Sequence, residues 1–397
     1  MFAVVVAFFV VMPQLQCLRR GLMNNTVKKT LIYALLALLL IILVAVVAFL
    51  CVYRTRLKTM STIEKLSNYE DYNLYHMDVK YDYSLQKILD NGIVDNQSFT
   101  NSILKEVLPL LPIHMEAKSF GCTAFTMETT GGKTLMGHNY DFKLDTSSIL
   151  VCCEPKDGYK SMAFASLDNL GIKDATKGFS TKMVCLAAPF ACLDGINEKG
   201  VSIAILTLDS EPTNQVGMDD SKQTIGTSLV VRLVLDYAAT TQEAVDLIAK
   251  YNMFATAGRD YHFYITDASG DGRVVEYDCE SETREMVATP IRSITNFFGL
   301  YEDKVLPNQK NGIYGHGKER YDAVLDVLAE QPRPSSETVW AALRESSQEP
   351  NPKDITSNTQ WSIHFFNTNG TLEVTLRRHW QDRFVYSLSE NTVTRAE

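Results

Sequence analysis

The chain has 397 residues, 46% hydrophobic and 21% charged, with a formal net charge of −9. That is the composition of a globular protein with a substantial core, long enough for one large domain or two ordinary ones. The acidic balance, with no run of interleaved basic and aromatic residues, argues against a nucleic-acid partner. Eight cysteines and seven histidines are scattered along it. No CxxC pair occurs and no Cys/His cluster has metal-ligand spacing, so neither a metal nor a cofactor is expected.

Residues 1–30 read as an N-terminal tail. Its apolar run Met1–Met12 stops at Pro13 and is too short to span a bilayer; a start at Met23 would give the compact lead "MNNTVKK". Leu31–Tyr53 is a continuous uncharged run, flanked by Lys28 and Lys29 before it and Arg54, Arg56 and Lys58 after. At about 1.5 Å per residue it reaches about 35 Å, enough for a hydrocarbon core of about 30 Å. A cleaved signal peptide has a shorter apolar core, so 31–53 is expected to be a single membrane anchor. The short basic tail favours a body outside the cytoplasm.

Residues 54–121 are polar, with amphipathic patches such as "SLQKILDNGIVD" and "NSILKEVLPLLP"; they read as a helical linker or pro-segment. From Cys122 the pattern changes to short strands. "CTAFTMETTGGKTLMGHNYDF" gives two strands about Gly131-Gly132, and "VSIAILTL" is a β-branched strand. "YHFYITD" and "RVVEYD" form a hairpin about "ASGDG", and "WSIHFFNTNGTLEVTL" another about Asn369-Gly370. "TSLVVRLVLDYAAT", the segment opened by the capping box Thr240–Glu243, "KERYDAVLDVLAE" and "SSETVWAALRE" are helices. Hairpins with grouped helices predict an α+β fold of antiparallel sheets, not βαβ units.

No GxSxG elbow, HExxH, Walker loop or EF-hand loop is present. Cys122 is the residue that suggests chemistry. A lone strand cysteine is most often an inert small hydrophobe. Here Gly121 precedes it and leaves the backbone open to attack. Scission of that bond would give Cys122 a free amine with a pKa of about 7.7–8.0, so that one residue supplies nucleophile and base. Asp141, past the return strand, reads either as a carboxylate that would hold the new ammonium or as a turn cap.

"CTAFTMETTGGKTLMGHNYDF" resembles the opening of the choloylglycine hydrolase family. That group includes bile salt hydrolases and penicillin V acylases, with acid ceramidases and N-acylethanolamine acid amidases as relatives. "DGINEKGVSIAILTL", "SITNFF" and "GKERYDAV" resemble further segments of the family, in family order from Cys122 to the C-terminus. The resemblance implies a four-layer αββα N-terminal-nucleophile sandwich over 122–397, which the transmembrane helix read from 31–53 would precede. It implies a hydrolase of small linear N-acyl amides that works through a Cys122 thioester. Asp141 would bind the Cys122 amine. Asn296, with the Thr207 backbone N–H, would hold the oxyanion, where one lost donor costs about 3–4 kcal/mol. Arg320 would favour the thiolate.

His138 stands where relatives have arginine, so a permanent charge beside the sulfur is not assured. Thr207 stands where relatives have asparagine or tyrosine. The long leader resembles that of the self-cleaving, ceramidase-like members. Two other functions fit the same sequence: an acyltransferase using the same thioester, and an unprocessed membrane-attached binding protein. An oligomer is compatible with either.

Overall fold

The computed structural model describes residues 25–109, 121–142, 145–305, 312, 314–351 and 358–396. Met1–Met12 and the residues just before Gly121 lie outside them. The chain divides into two units, Met1–Leu57 and Lys58–Glu397. Helix α1, Asn25–Thr62, contains the whole apolar run. It is long and apolar enough to cross a membrane, a criterion that a signal sequence near an N-terminus also meets.

In chain order the second unit has strands β1 (Glu64–Lys65) and β2 (Leu74–Asp78), then helices α2 (Leu85–Asp90) and α3 (Asn96–Val107). Strands β3 (Gly121–Glu128), β4 (Thr134–Asp141), β5 (Ser148–Cys153) and β6 (Ser161–Ser166) lead to helix α4 (Gly178–Cys185). Next come β7 (Cys192–Asn197), β8 (Ser202–Leu208), β9 (Thr224–Gly226), α5 (Thr227–Tyr237), α6 (Thr241–Ile248) and β10 (Asn252–Phe254). They are followed by β11 (Asp260–Thr266), β12 (Gly272–Tyr277), β13 (Met286–Pro290), β14 (Ser293–Ile294), β15 (Asn296–Phe297) and β16 (Gly315–His316). Helices α7 (Lys318–Glu330) and α8 (Ser336–Glu345) precede β17 (Thr359–Phe366), β18 (Thr371–Leu376), β19 (Phe384–Ser387) and β20 (Thr392–Arg395).

Two large sheets result. One has nine strands in the order β1-β2-β5-β6-β7-β8-β11-β12-β13; the other has seven, β14-β3-β4-β17-β18-β19-β20. Pairing within them is antiparallel except between β2 and β5. Strand β3 faces β8 across the gap between the sheets. Helices α5 and α6 cover the nine-stranded sheet, and α7 and α8 cover the seven-stranded one. The result is a four-layer αββα sandwich.

Strand alternation assigns the layers. Phe125, Met127 and Leu135 meet Val324, Leu328, Val339, Trp340 and Leu343 of α7 and α8 in a fully buried cluster. On the opposite face of the sheet, Tyr140 stacks on Trp361 at 4.0 Å between ring centroids. Trp361 in turn lies 6.3 Å from Phe164 of β6. That second face is therefore the interior between the sheets.

Several local readings hold with small differences. The Asn369-Gly370 turn has Gly370 at φ +65. Thr240 caps α6 by accepting from the Glu243 N–H, but the Glu243 carboxylate reaches back to the Ala239 N–H, one residue short of a closed capping box. Residues 54–121, expected as a linker or pro-segment, supply the β1–β2 edge of the large sheet, and α2 packs on α3 and α5.

Candidate active site

Cys122 is the second residue of β3, opposite Tyr140 of β4 and fully buried. By alternation its side chain shares the inter-sheet face with Tyr140, Ala124 and His138, while Thr123, Asn139 and Asp141 share the helical face. Contacts agree: the Asn139 side chain donates to the Leu343 carbonyl at the end of α8, at 2.9 Å.

Side chains from distant segments converge on the backbone of Cys122. Its N–H donates to Asn296 Oδ1 at 3.2 Å. Its carbonyl accepts from Arg320 Nη1 at 2.7 Å. The same nitrogen reaches Thr123 Oγ1 at 2.8 Å and Asp141 Oδ2 at 3.5 Å, while Arg320 Nη2 donates to Asn296 Oδ1 at 2.8 Å. Arg320 gets there because α7 opens on Gly317 at φ +88. A Cβ on Gly317 would sit 2.4 Å from Arg320 Nη2 and 2.8 Å from Thr295 Oγ1, so this turn needs glycine on both counts.

Asp141 is fully buried, and its two oxygens accept from Thr359 Oγ1 and Gln348 Nε2, each at 2.6 Å. Burial pushes its carboxyl pKa up; the Arg320 charge and these two hydrogen bonds oppose that without overcoming it. Burial, then the Asp141 carboxylate, push the Cys122 thiol well above its ordinary value, against a smaller downward pull from the Asp141 backbone N–H and Arg320. With its peptide bond intact, Cys122 is therefore a thiol at neutral pH, not a thiolate.

Asn296 lies on β15, and its Nδ2 donates to the Thr207 carbonyl at 2.9 Å, with Thr207 Oγ1 at 3.4 Å. Asn296 therefore lies directly against Thr207, the residue whose backbone N–H is expected to share an oxyanion with it. In the uncut chain the Asn296 amide is satisfied internally, as buried polar groups are. Arg320 grips the Cys122 carbonyl, and its charge also pulls the Cys122 thiol pKa down, the expected direction, against the larger effect of burial.

His138 is fully buried on the inter-sheet face, and its Nδ1 lies 2.8 Å from Asp194 Oδ2 of β7. Trp361 Nε1 donates to the same Asp194 oxygen at 2.9 Å. His138 Nε2 makes no hydrogen bond among the described residues. The structure thus brings Cys122, Asp141, Asn296, Arg320 and Thr207 together and sets His138 in an adjoining polar pair. Sequence reasoning missed Thr359, Gln348, Trp361 and Asp194. Asp194 opens the "DGINEKG" segment and had a signal of its own; the other three come from C-terminal segments without one.

Residues 122–296 match the family model described as linear amide C–N hydrolases, choloylglycine hydrolase family. Over that segment, less than half of its length, the chain is similar to this family. Among solved structures, a mutant conjugated bile acid hydrolase from Clostridium perfringens is 14% identical. The match covers 70% of this chain and 96% of that one, with a TM-score of 0.50. A second variant of that hydrolase matches at 14% identity over 70% and 97%, with a TM-score of 0.49. A penicillin V acylase from Agrobacterium tumefaciens matches at 17% identity over 68% and 87%, also at 0.49.

Proposed function

We propose that this linear amide hydrolase becomes active by scission of its Gly121–Cys122 bond and then works through a Cys122 thioester. The observation that carries the reading is the convergence on the backbone N and O of Cys122. An inert core cysteine has no use for an arginine and an asparagine from remote segments gripping its own peptide groups. A nascent chain end does.

In the maturation step, Cys122 Sγ adds to the Gly121 carbonyl carbon. The C–N bond breaks, the thiol proton passes to the departing amine, and a thioester remains on sulfur. Water hydrolyses it, leaving a Gly121 carboxylate and a free Cys122 amine. That amine keeps Asn296 Oδ1 as an acceptor, and the Asp141 carboxylate offsets its charge when protonated. In turnover the amine takes the thiol proton, sulfur attacks the substrate carbonyl, and the proton goes to the leaving amine. Water then releases the acid. Asn296 Nδ2 carries two N–H groups: one stays on the Thr207 carbonyl, and the other, which reaches Thr207 Oγ1 only at 3.4 Å, turns to the oxyanion.

The proposal divides the chain into a tail (1–30), an anchor (31–53), a retained pro-segment (54–121) and a catalytic piece (122–397). The apolar helix and its basic flanks support a membrane anchor with the catalytic piece outside the cytoplasm. The substrate class is a small N-acyl amide.

The mass of purified protein tests the first step: a fragment beginning at Cys122 is expected, and it is absent from Cys122→Ala. An intact, active wild-type chain refutes the reading. A panel of glycine- and taurine-conjugated bile acids, penicillin V, N-acylethanolamines and ceramide then assigns the acyl and amine parts.

A further inference from the structure

A second chemical cluster lies at the far edge of the nine-stranded sheet. His76 and Asp78 are two apart on β2 and so share a face, and the parallel register sets Cys152 of β5 directly beside Asp78. One ligand atom from each of these three residues lies within 4.8 Å of the other two. His76 and Cys152 are each more than nine-tenths buried.

The carboxylate of Glu64 behind His76 favours a cation in front of it. His76 Nδ1 lies 3.2 Å from Oε1 of Glu64, its cross-strand partner on β1. A Nδ1–H donated there leaves the Nε2 lone pair pointing inward, the carboxylate–histidine arrangement of metal sites. Nε2 sits 3.3 Å from Asp78 Oδ1, a contact that either a proton on the imidazole or a bound cation would hold together. Asp78 Oδ2 is already taken by Lys80 Nζ at 3.1 Å, which fixes Oδ1 as the inward oxygen. A cavity of about 490 Å³, lined by Asp78 and Cys152 together with Lys80, Tyr81, Ser389 and Asn391, gives access and room for a fourth, water ligand.

We propose that His76 Nε2, Asp78 Oδ1 and Cys152 Sγ form a binding site for a divalent cation of the zinc class. Imidazole, thiolate and carboxylate are the donor types Zn²⁺ takes, and bonds of about 2.0–2.3 Å require the three atoms to draw in by about 1 Å. On binding, the Cys152 thiol proton is released to water and a Zn–S bond forms. The donors lie on either side of residue 121. The ion would therefore clip β2, upstream of Cys122, to β5, downstream of it. That consequence rests on the proposed scission; the site itself does not.

The test begins with the intact Cys122→Ala chain, equilibrated with Zn²⁺, freed of excess ion and assayed by elemental mass spectrometry. About one zinc per chain is expected, falling below about a tenth in His76→Ala and in Cys152→Ser. In case those variants fold poorly, the parent protein supplies a second readout. Zinc should slow alkylation of Cys152 at least about tenfold and spare Cys153, which lines the same cavity. Absence of zinc, equal zinc in His76→Ala, or unprotected Cys152 overturns the site. In processed wild-type protein, a chelator should then release the upstream piece. Zinc bound without such release overturns the clip alone. An uncut wild-type chain overturns the scission reading and leaves the zinc result standing.

Discussion

The buried Arg320–Asp141 pair offers the sharpest energetic test. Replacing Arg320 with Met keeps the bulk of the side chain and removes the charge. Asp141 then remains fully buried with only the Thr359 and Gln348 hydrogen bonds, and the Cys122 carbonyl and Asn296 Oδ1 lose their shortest donor contacts. Breaking a buried pair from one side costs about 3–5 kcal/mol. The two surviving hydrogen bonds to a charged acceptor argue for the lower half of that range. The sign of the pH dependence follows from Asp141. Its folded pKa is already raised by burial, and Arg320 is the first of the groups holding it down. Losing Arg320 raises it further, so the folded state binds a proton that the unfolded state has lost. Stability then falls as pH rises from the unfolded carboxyl pKa of about 3.9 through the folded one. The deficit of Arg320→Met should therefore be largest near neutral pH and shrink on acidification. Asp141→Asn/Arg320→Met should lose that pH dependence and recover part of the stability at pH 7. Urea unfolding of the full chain in detergent, all variants made on Cys122→Ala so that the covalent chain is constant, gives these numbers. A neutral-pH loss below about 1 kcal/mol, or one that does not change with pH, would refute the electrostatic account of this site.

Three further outcomes are expected. Gly317→Ala forces an L side chain to φ +88 and drives its Cβ against Arg320. It should cost at least about 1–2 kcal/mol in the same unfolding assay and slow appearance of the Cys122-started fragment. Asn296→Leu removes both the acceptor for the Cys122 N–H and the amide donor, and whatever fragment forms should show kcat/KM reduced about 100-fold or more on the best panel substrate. Trp340→Ala, in the cluster beneath β3 and β4, should lose about 3–5 kcal/mol by thermal or urea unfolding while its processed fragment keeps its KM, because Trp340 packs with the core residues Phe125, Met127 and Leu343 of that cluster.

Much of the architecture was readable because local chemistry and global fold agree. Gly131-Gly132 and Asn369-Gly370 close hairpins whose strands pair as their alternation requires. What was not readable depends on long-range register. Thr359 meets Asp141 because β17 pairs with β4, across an interval of more than 200 residues. The turn of the Asn296 amide toward Thr207 depends on where β15 ends against β8, which no propensity encodes. The edge formed by β1 and β2 escaped for the same reason. A parallel pair such as β2–β5 is joined by a long crossover and leaves no turn signature, so 54–121 looked like a spacer.

The period of two along β3 and β4 also separates the tasks of the proposed site. Asp141 and Thr123 lie on the helical face, where α7 delivers Arg320 to them and to the Cys122 carbonyl. The sulfur shares the inter-sheet face with Tyr140, His138 and, from the opposite sheet, Asp194. Substitutions on the helical face should therefore act on maturation and on the chain-end amine, because they reach Cys122 through its peptide groups. Those at His138 or Asp194 should act on the sulfur and on what approaches it, and so on turnover by protein that has already been cut. A shift of register by one residue would exchange the two faces and abolish both roles together. This gives a physical reason for the uninterrupted eight-residue pairing of Gly121–Glu128 with Thr134–Asp141: it keeps the sulfur and the side chains that grip the Cys122 peptide groups on opposite sides of one strand.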